Sequence, residues 1–234
     1  MIGFQLSAEQ EQMRQVARQF AQAEMRPVAA QYDESEETPW PVLQKAAQMG
    51  LTTYRYPESY GGGGIDSLLT ACVITEELSW GCAGIANVIL GCDTVALPIL
   101  LMGTAAQKAR YIPRLCDPKQ VKLCAFALTE ADAGSDVTAL RTTAKREGDS
   151  YLLNGQKRYI TFGGLADLYL VFAKVEAAGI TAFLVEGQTP GLSAGKNERK
   201  LGMRASATCD VILDNVRVPV ENRLGQEGQG FYIA

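Results

Sequence analysis

The chain has 234 residues, of which 47% are hydrophobic and 21% charged, a composition typical of a globular protein with one or two domains. Its net charge of -4 argues against nucleic acid as a partner, because phosphate binding requires a basic face. It contains no histidine, which excludes Ser-His-Asp and Cys-His catalytic groups within this chain and removes the usual zinc ligand. We therefore predict no metal site.

Membrane and export signals are not evident in the sequence. The best apolar run, from Val95 to Met102, is short for a bilayer span and contains Pro98. The first residues, MIGFQLSAEQEQ, lack the basic start and apolar run of a secretory signal. We therefore expect a cytoplasmic protein without a membrane span.

The first half of the chain has the periodicity of helices. Ser7 and Gln10 fit a capping box, and apolar residues recur behind them at helical spacing. Pro41 and Gly50 suit the first position and the end of a second helix. Further helices are predicted near residues 67–80, 85–102 and 105–115. Glu76 and Glu77 are interpreted as solvated helix charges.

From about residue 120 the pattern changes to short runs rich in aliphatic, aromatic and branched residues. Turn signals separate these runs at Gly148-Asp149, Asn154-Gly155, Thr189-Pro190-Gly191 and Asp214-Asn215. This spacing predicts an antiparallel sheet or small barrel. The predicted fold class is α+β, with an all-α N-terminal domain over residues 1–119 and an antiparallel β-barrel domain over residues 120–234.

The C-terminus ends on FYIA, which has the pattern of a helix start without a continuation. We therefore expect the chain to be part of a longer protein.

One stretch of the β half, LTEADAGSD at residues 128–136, follows a predicted strand with many short polar groups. Taken alone, an ordinary turn is the favoured interpretation. As a cofactor loop, it would offer the Thr129 hydroxyl to a ring and Ser135 to phosphate oxygens. Gly134 would allow a ligand to approach the backbone closely. The stretch matches neither GxGxxG nor GxxxxGKS.

A second stretch, NGQKRYITFGG, covers residues 154–164. Asn154-Gly155 predicts a hairpin turn, and Tyr159 and Thr161 would then share one face of a strand. An aromatic ring beside a hydroxyl group could hold a flat heterocycle. For Tyr159 alone, packing in the core is the favoured interpretation.

Together, LTEADAGSD and GQKRYITFGG resemble the flavin-binding core of the acyl-CoA dehydrogenases. The resemblance spans the chain in order. Three further stretches resemble the first helix, the "GL…PE.YGG" loop and the end of the β domain in that family: SAEQEQMRQVARQFAQAEMRPVAAQYD, GLTTYRYPESYGGGG and KLGMRASATCDVILDNVRVPVENRLGQEGQGF. The 128–136 stretch is the most specific of these matches.

The resemblance implies an FAD site between the β-barrel domain and a C-terminal helical bundle, which is missing from this chain. Thr129 would hydrogen-bond the flavin ring, Tyr159 would pack on it, and Thr161 would reach its hydride-accepting nitrogen. Gly134 and Ser135 would meet the pyrophosphate, and Ser135 would also touch the pantetheine arm of the substrate. The full set implied for FAD is Phe126, Leu128, Thr129, Gly134, Ser135, Tyr159, Ile160 and Thr161.

The implied reaction is the α,β-dehydrogenation of an acyl-CoA thioester to the 2-enoyl-CoA, with electrons passed to an electron-transferring flavoprotein. A homodimer or homotetramer is implied. The family's base is a Glu of the C-terminal bundle, so no residue of this chain is assigned as catalytic. Ala131-Asp132 departs from the family's more usual Pro-Gly. The alternatives are half of a heteromeric dehydrogenase and a non-catalytic binding module, while related oxidases and monooxygenases share this half of the fold.

Overall fold

The computed structural model describes residues 5–234; residues 1–4, at the start of the predicted N-terminal domain, lie outside the described part. The chain divides into two compact units that alternate along the sequence. The first, here called the helical unit, comprises residues up to Leu90, Leu115–Val121 and Lys200–Ser206. The second, the sheet unit, comprises Gly91–Arg114, Lys122–Arg199 and Ala207–Ala234.

The helical unit begins with the predicted capping box. The Ser7 side chain accepts from the Gln10 amide, and the Gln10 side chain accepts from the Ser7 amide, so two orphan N–H groups are satisfied. After α1 the helical path continues through a π-helical segment (Ala21–Met25) and a 3-10 turn (Arg26–Val28) that contains Pro27. The helices are α1 (Ala8–Phe20), α2 (Ala29–Ser35), α3 (Trp40–Gln48) and α4 (Leu68–Leu90).

Helix α4 packs closely on the first helical segment and bends at Cys82, where the backbone is extended (φ -167°, ψ 118°). A methyl group at Gly81 would lie 2.8 Å from the Ala21 Cβ, so the missing side chain allows this approach. The bend falls where the sequence predicted a break. The predicted helix over 85–102 is wrong in one respect, because it is interrupted after Leu90 and resumes at Asp93.

By length and composition alone, α4 is the one helix of the described residues that could cross a membrane, a criterion that buried core helices also meet. Half of its apolar window is buried within the protein. Glu77, predicted to be solvated, is only 4% exposed and forms an ion pair with Arg18. Its second partner is Arg14, at 3.7 Å. The helix therefore carries a paired, buried charge in the middle of its apolar run.

The helical unit is completed by a short segment from late in the chain, residues 200–206. The Arg204 guanidinium donates to Asp33 Oδ2 at 3.0 Å, and its amide donates to Asp33 Oδ1 at 3.1 Å. Asn87 Nδ2 donates to the Ser206 hydroxyl at 2.9 Å. Contacts far apart in sequence therefore hold this unit together.

The sheet unit contains eight strands in the order β6-β7-β3-β2-β4-β5-β8, with β1 also paired to β4. The predicted succession of a helical part and a β part is confirmed. The sheet is mixed, because β1 and β2 lie end to end along one edge of β4 and both run parallel to it. The other pairings are antiparallel. The strands are β1 (Cys124–Ala127), β2 (Thr143–Glu147), β3 (Ser150–Thr161), β4 (Leu168–Val175), β5 (Gly179–Glu186), β6 (Leu192–Asn197), β7 (Thr208–Pro219) and β8 (Arg223–Leu224).

Three helices belong to the sheet unit: α5 (Asp93–Met102), α6 (Ala105–Leu115, up to Arg114) and the short α7 (Gly230–Ile233). On α6, the Gln107 side chain donates to the carbonyls of Glu221 and Arg223 at 2.8 Å each. Two helices predicted for the N-terminal domain therefore group with the sheet. The domain limits 1–119 and 120–234 stay a prediction.

Two predicted turns are wrong. Asn154-Gly155 lies inside β3 and Asp214-Asn215 lies inside β7, where the two pairs face each other across a register shift. The Asn215 amide donates to Asn154 Oδ1 at 2.8 Å. Asn215 (φ 54°) has a left-handed backbone of the kind found in turns, but both strands continue on either side of it. The predicted turn at Gly148-Asp149 does join β2 to β3.

Candidate functional site

The 128–136 loop leaves the end of β1 and forms a tight, internally bonded turn. The Glu130 amide donates to the Ala133 carbonyl at 3.0 Å, and the Ala133 amide returns a bond to the Glu130 carbonyl at 3.2 Å. Ala131 and Asp132 form the exposed tip of this turn. Asp136 Oδ1 accepts from the Thr138 amide at 3.1 Å and caps a short 3-10 turn. The loop backbone is thus fixed by its own groups at both ends.

A buried ion pair fastens this loop to β3. The Lys157 ammonium, fully buried, donates to Glu130 Oε1 at 2.7 Å and to the Leu128 carbonyl at 3.1 Å. The Glu130 carboxylate also accepts from the amides of Arg141 at 2.5 Å and Thr142 at 3.1 Å. Charges so deeply buried are tolerated when they are paired and hydrogen-bonded.

The surroundings shift the pKa values of both partners. Burial raises the pKa of Glu130, but hydrogen bonds from Lys157, Thr142 and Arg141 outweigh burial and hold it below its ordinary value. Burial lowers the pKa of Lys157, and the Glu130 carboxylate partly offsets this. A carboxyl group with a lowered pKa and only N–H donors around it is ionised at neutral pH. Glu130 is therefore unsuited to accept a proton from a substrate.

Glu130 should make stability sensitive to acid. Because its folded-state pKa lies below the ordinary 4.5, its stabilisation is complete above pH 4.5 and is lost as the pH falls through the folded-state value. We expect Glu130→Gln to make the free energy of unfolding fall less steeply below pH 4.5 than in the wild type. Urea unfolding at a series of acidic pH values measures this. An equally steep fall in the variant would contradict the assignment.

Next to this pair, β3 contains a bulge formed by Arg158 and Tyr159, here called the Tyr159 bulge. Both residues lie between Lys157, paired with Val211, and Ile160, paired with Cys209. Tyr159 has a left-handed backbone (φ 57°), and its side chain is 60% exposed. Such strain in a non-glycine residue costs free energy and is concentrated at functional sites.

The loop and the bulge are joined directly, since the Arg158 amide donates to the Thr129 carbonyl at 2.8 Å. The Arg158 guanidinium lies 5.1 Å from the centre of the Tyr159 ring. Core packing, the favoured interpretation of Tyr159 taken alone, does not describe a ring with this exposure. The structure instead presents the ring at the surface beside the end of β1.

The predicted site residues fall into three environments. Phe126, Leu128, Thr129 and Thr161 are half-buried, and the Phe126 ring packs 5.0 Å from the ring of Phe172. Ile160 is buried and contributes its side chain to the core. Gly134 and Ser135 are exposed, and a methyl group at Gly134 would find no atom within 4 Å. None of the contacts described above connects Gly134 or Ser135 to the bulge.

This arrangement fits a cofactor with a flat ring and a phosphate group. The half-buried end of β1 and the exposed Tyr159 ring offer apolar contact, and Thr129 and Thr161 offer hydroxyl groups. The open backbone at Gly134 offers space for a phosphate. Among residues 5–234, no group of three or more potential metal ligands occurs.

Lys157 was missed by the sequence analysis, which also gave Glu130 no partner. Lys157 stands in the polar run Gln156-Lys157-Arg158, which looks solvent-exposed. One signal was available: strand alternation from buried Tyr151 and Leu153 places residue 157 on the buried face.

A separate cavity of about 730 Å³ lies in the sheet unit away from these residues. Its lining contains none of the predicted site residues and consists of Thr143, Ala144, Lys145, Arg146, Lys174, Val175, Glu176 and Glu227.

Comparisons with known proteins identify the family of the chain. The sequence matches the acyl-CoA dehydrogenase N-terminal domain over residues 7–119 and the acyl-CoA dehydrogenase middle domain over residues 125–216. It is 42% identical, over 98% of its length, to an acyl-CoA dehydrogenase of Bacillus subtilis (strain 168). The chain spans 61% of the length of that relative.

Solved structures give the same result. Butyryl-CoA dehydrogenase from Megasphaera elsdenii matches with a TM-score of 0.92 and 36% identity, over 99% of this chain and 62% of that one. An acyl-CoA dehydrogenase complexed with FAD from Bacillus anthracis matches with a TM-score of 0.87 and 33% identity, over 100% of this chain and 40% of that one. The chain therefore belongs to the acyl-CoA dehydrogenase family, whose members are FAD-dependent oxidoreductases.

Proposed function

We propose that the protein carrying this chain is an FAD-dependent acyl-CoA dehydrogenase. It converts an acyl-CoA thioester to the 2-enoyl-CoA by removing one hydrogen from each of the α and β carbons. The observation that carries this proposal is the junction of the 128–136 loop with the exposed, strained Tyr159 bulge, joined by the Arg158–Thr129 hydrogen bond. Membership of the family supports it.

The residues of this chain bind and orient the cofactor and the substrate. The Thr129 hydroxyl hydrogen-bonds the flavin ring, the Tyr159 ring packs on it, and Thr161 holds its reactive edge. Phe126, Leu128 and Ile160 line the ring, while Gly134 and Ser135 contact the pyrophosphate. Ser135 also contacts the pantetheine arm of the substrate. FAD, when bound, supplies the acceptor for the hydride that leaves the β carbon.

The proton from the α carbon requires a base that these site residues do not supply. Of the three carboxylates in the loop, Glu130 is the buried one, and Lys157 and two backbone amides occupy it, whereas Asp132 and Asp136 are exposed. We therefore assign no catalytic base to this chain and place it, by family resemblance, on a Glu of the C-terminal helical bundle.

The remaining features of the proposal rest on the family resemblance. Electrons pass to an electron-transferring flavoprotein, and the active protein is a homodimer or homotetramer in the cytoplasm. Half of a heteromeric dehydrogenase and a non-catalytic binding module are the competing assignments. In the heteromeric dehydrogenase another chain supplies the catalytic base, and in the binding module the base is absent.

An anaerobic titration tests the proposal. The purified protein is mixed with FAD, freed of excess cofactor, and titrated with acyl-CoA thioesters of different chain lengths while the visible flavin absorbance is recorded. Retained flavin that bleaches with one of the thioesters is the expected result. Retained flavin that bleaches only after a second chain is added would establish the heteromeric alternative. Failure to retain FAD would contradict the proposal.

Tyr159→Ala should weaken FAD binding about three- to tenfold, since stacking of an aromatic pair contributes about 0.5–1.5 kcal/mol. Because Tyr159 is exposed, we expect the variant to keep the folded state. Fluorescence titration with FAD measures the dissociation constant. Tyr232→Ala is the control, because that ring is 80% exposed and lies in the short α7 of the same unit. Equal dissociation constants for the two variants would contradict a role for Tyr159.

A further inference from the structure

We propose that Lys157 is a positioning residue that holds the 128–136 loop and the Tyr159 bulge in the arrangement that binds FAD. This inference rests on the proposed function. Lys157 touches neither of the surfaces offered to the cofactor, because its side chain is fully buried beneath the loop. Its effect on binding must therefore pass through Leu128, Glu130 and the bulge.

Lys157 sets the direction of the backbone at the end of β1. Its ammonium donates a hydrogen bond to the Leu128 carbonyl. The carbonyl of the next residue, Thr129, accepts a hydrogen bond from the Arg158 amide. The carbonyls of Leu128 and Thr129 thus both accept hydrogen bonds from residues of β3. The described peptide bonds are trans, so the Thr129 N–H points opposite to the Leu128 carbonyl and away from the Lys157 ammonium. The backbone N–H and carbonyl of Thr129 are thereby fixed in direction before any ligand binds.

Lys157 also organises the far side of the loop through Glu130. The carboxylate that accepts from Lys157 accepts from the Arg141 and Thr142 amides, which lie just before β2. The start of the loop after β1 and the segment just before β2 are therefore both hydrogen-bonded to the Lys157–Glu130 ion pair. The Gly134-Ser135 segment lies between these two fixed points and makes no contribution to the pair.

The same three residues, Lys157 to Tyr159, connect both halves of the site. Lys157 is the last residue in register with β7 before the bulge, Arg158 bonds the loop, and Tyr159 presents its ring. A change at Lys157 therefore moves the loop relative to the ring. Preorganised contacts of this kind contribute to affinity by reducing the ordering cost on binding.

The experiment compares stability with FAD affinity in four variants. Lys157→Met and Glu130→Leu each leave one buried charge without its partner, whereas the double variant removes both charges. Replacing a buried ion pair by apolar residues is often neutral for stability, while removing one partner is strongly destabilising. Lys122→Met is the matched control, since Lys122 pairs with Asp167 at 2.9 Å just before β1 and outside the loop.

We expect Lys157→Met to raise the FAD dissociation constant about tenfold or more, and Lys122→Met to change it less than about twofold. We expect the double variant to regain thermal stability relative to both single variants but not FAD affinity. Stability that recovers without FAD affinity is specific to a positioning role. If Lys157 acted only on stability, the double variant would regain thermal stability and FAD affinity together. The double variant also decides the matter if Lys157→Met fails to fold.

Recovery of wild-type FAD affinity in the double variant would overturn the inference. So would a Lys157→Met protein that binds FAD as tightly as the wild type. If the wild-type protein does not bind FAD, the proposed function itself falls and this inference falls with it. Fluorescence titration with FAD and thermal unfolding of the cofactor-free protein distinguish these outcomes.

Discussion

Phe172→Ala should lower the free energy of unfolding of the sheet unit by about 3–5 kcal/mol, as is usual when a buried Phe is truncated. Phe172 lies on β4, a strand paired along both edges, and is fully buried. Removing the ring leaves a cavity that the paired strands on both sides of β4 cannot close. It also removes the support of the Phe126 ring, 5.0 Å away. Circular dichroism during urea unfolding measures the loss.

Phe231→Ala is the matched control, because its ring belongs to the same unit and is 63% exposed. We expect that substitution to change stability by less than about 0.5 kcal/mol. Phe172→Leu should give an intermediate loss, since part of the volume is kept. A loss for Phe172→Ala no larger than that for Phe231→Ala would show that β4 does not form the core of this unit.

Gly62→Ala should lower the stability of the helical unit by about 1–3 kcal/mol or more through steric overlap. A methyl group at Gly62 would lie 2.2 Å from the carbonyl oxygen of Tyr56 and 2.5 Å from its carbonyl carbon. Both are backbone atoms, so a side-chain rotation cannot relieve the overlap. The loop itself must move, although the Gly62 amide is bonded to the Pro57 carbonyl at 3.2 Å.

The fluorescence of Trp40 and Trp80, both in the helical unit, reports its unfolding in urea. Gly202→Ala is the control, because that position belongs to the same unit and has no atom within 4 Å of an added methyl group. Its expected change is below about 0.5 kcal/mol. Similar midpoints for the two variants would mean that the Gly-rich loop tolerates displacement and that its glycines are not required by packing.

Local signals in the sequence predicted much of the fold. The Ser7–Gln10 capping box depends on four consecutive residues, and it forms as predicted. The same holds for helix α3, with Pro41 in its first turn and Gly50 (φ 75°) just after its end. The change from helical to strand-like runs near residue 120 also depends on nearby residues. The family resemblance, carried by LTEADAGSD and GQKRYITFGG, supplied the family and its cofactor.

The errors arose where distant residues decide the outcome. Asn154-Gly155 has the composition of a hairpin turn, but β3 continues through it, and the extra residue lies on β7, where Asp214-Asn215 forms a bulge opposite Asn154. The left-handed backbone of Tyr159 lies where β3 has one residue more than the facing stretch of β7, and the sequence around Tyr159 does not encode this mismatch with a distant strand. Lys157 was not singled out in the sequence because its partner Glu130 lies 27 residues earlier. The assignment of individual residues to FAD stays a prediction.

The return of residues 200–206 to the helical unit has a consequence for synthesis on the ribosome. The first 121 residues supply the helices of this unit, yet Asp33 and Asn87 obtain Arg204 and Ser206 only after residues 122–199, 78 in number, have been made. At a rate of roughly 5–20 residues per second, that delay is on the order of 4–16 s. During this interval the helices of the helical unit lack the hydrogen bonds to Arg204 and Ser206. The helical unit is therefore complete only after most of the β-rich segment has been translated.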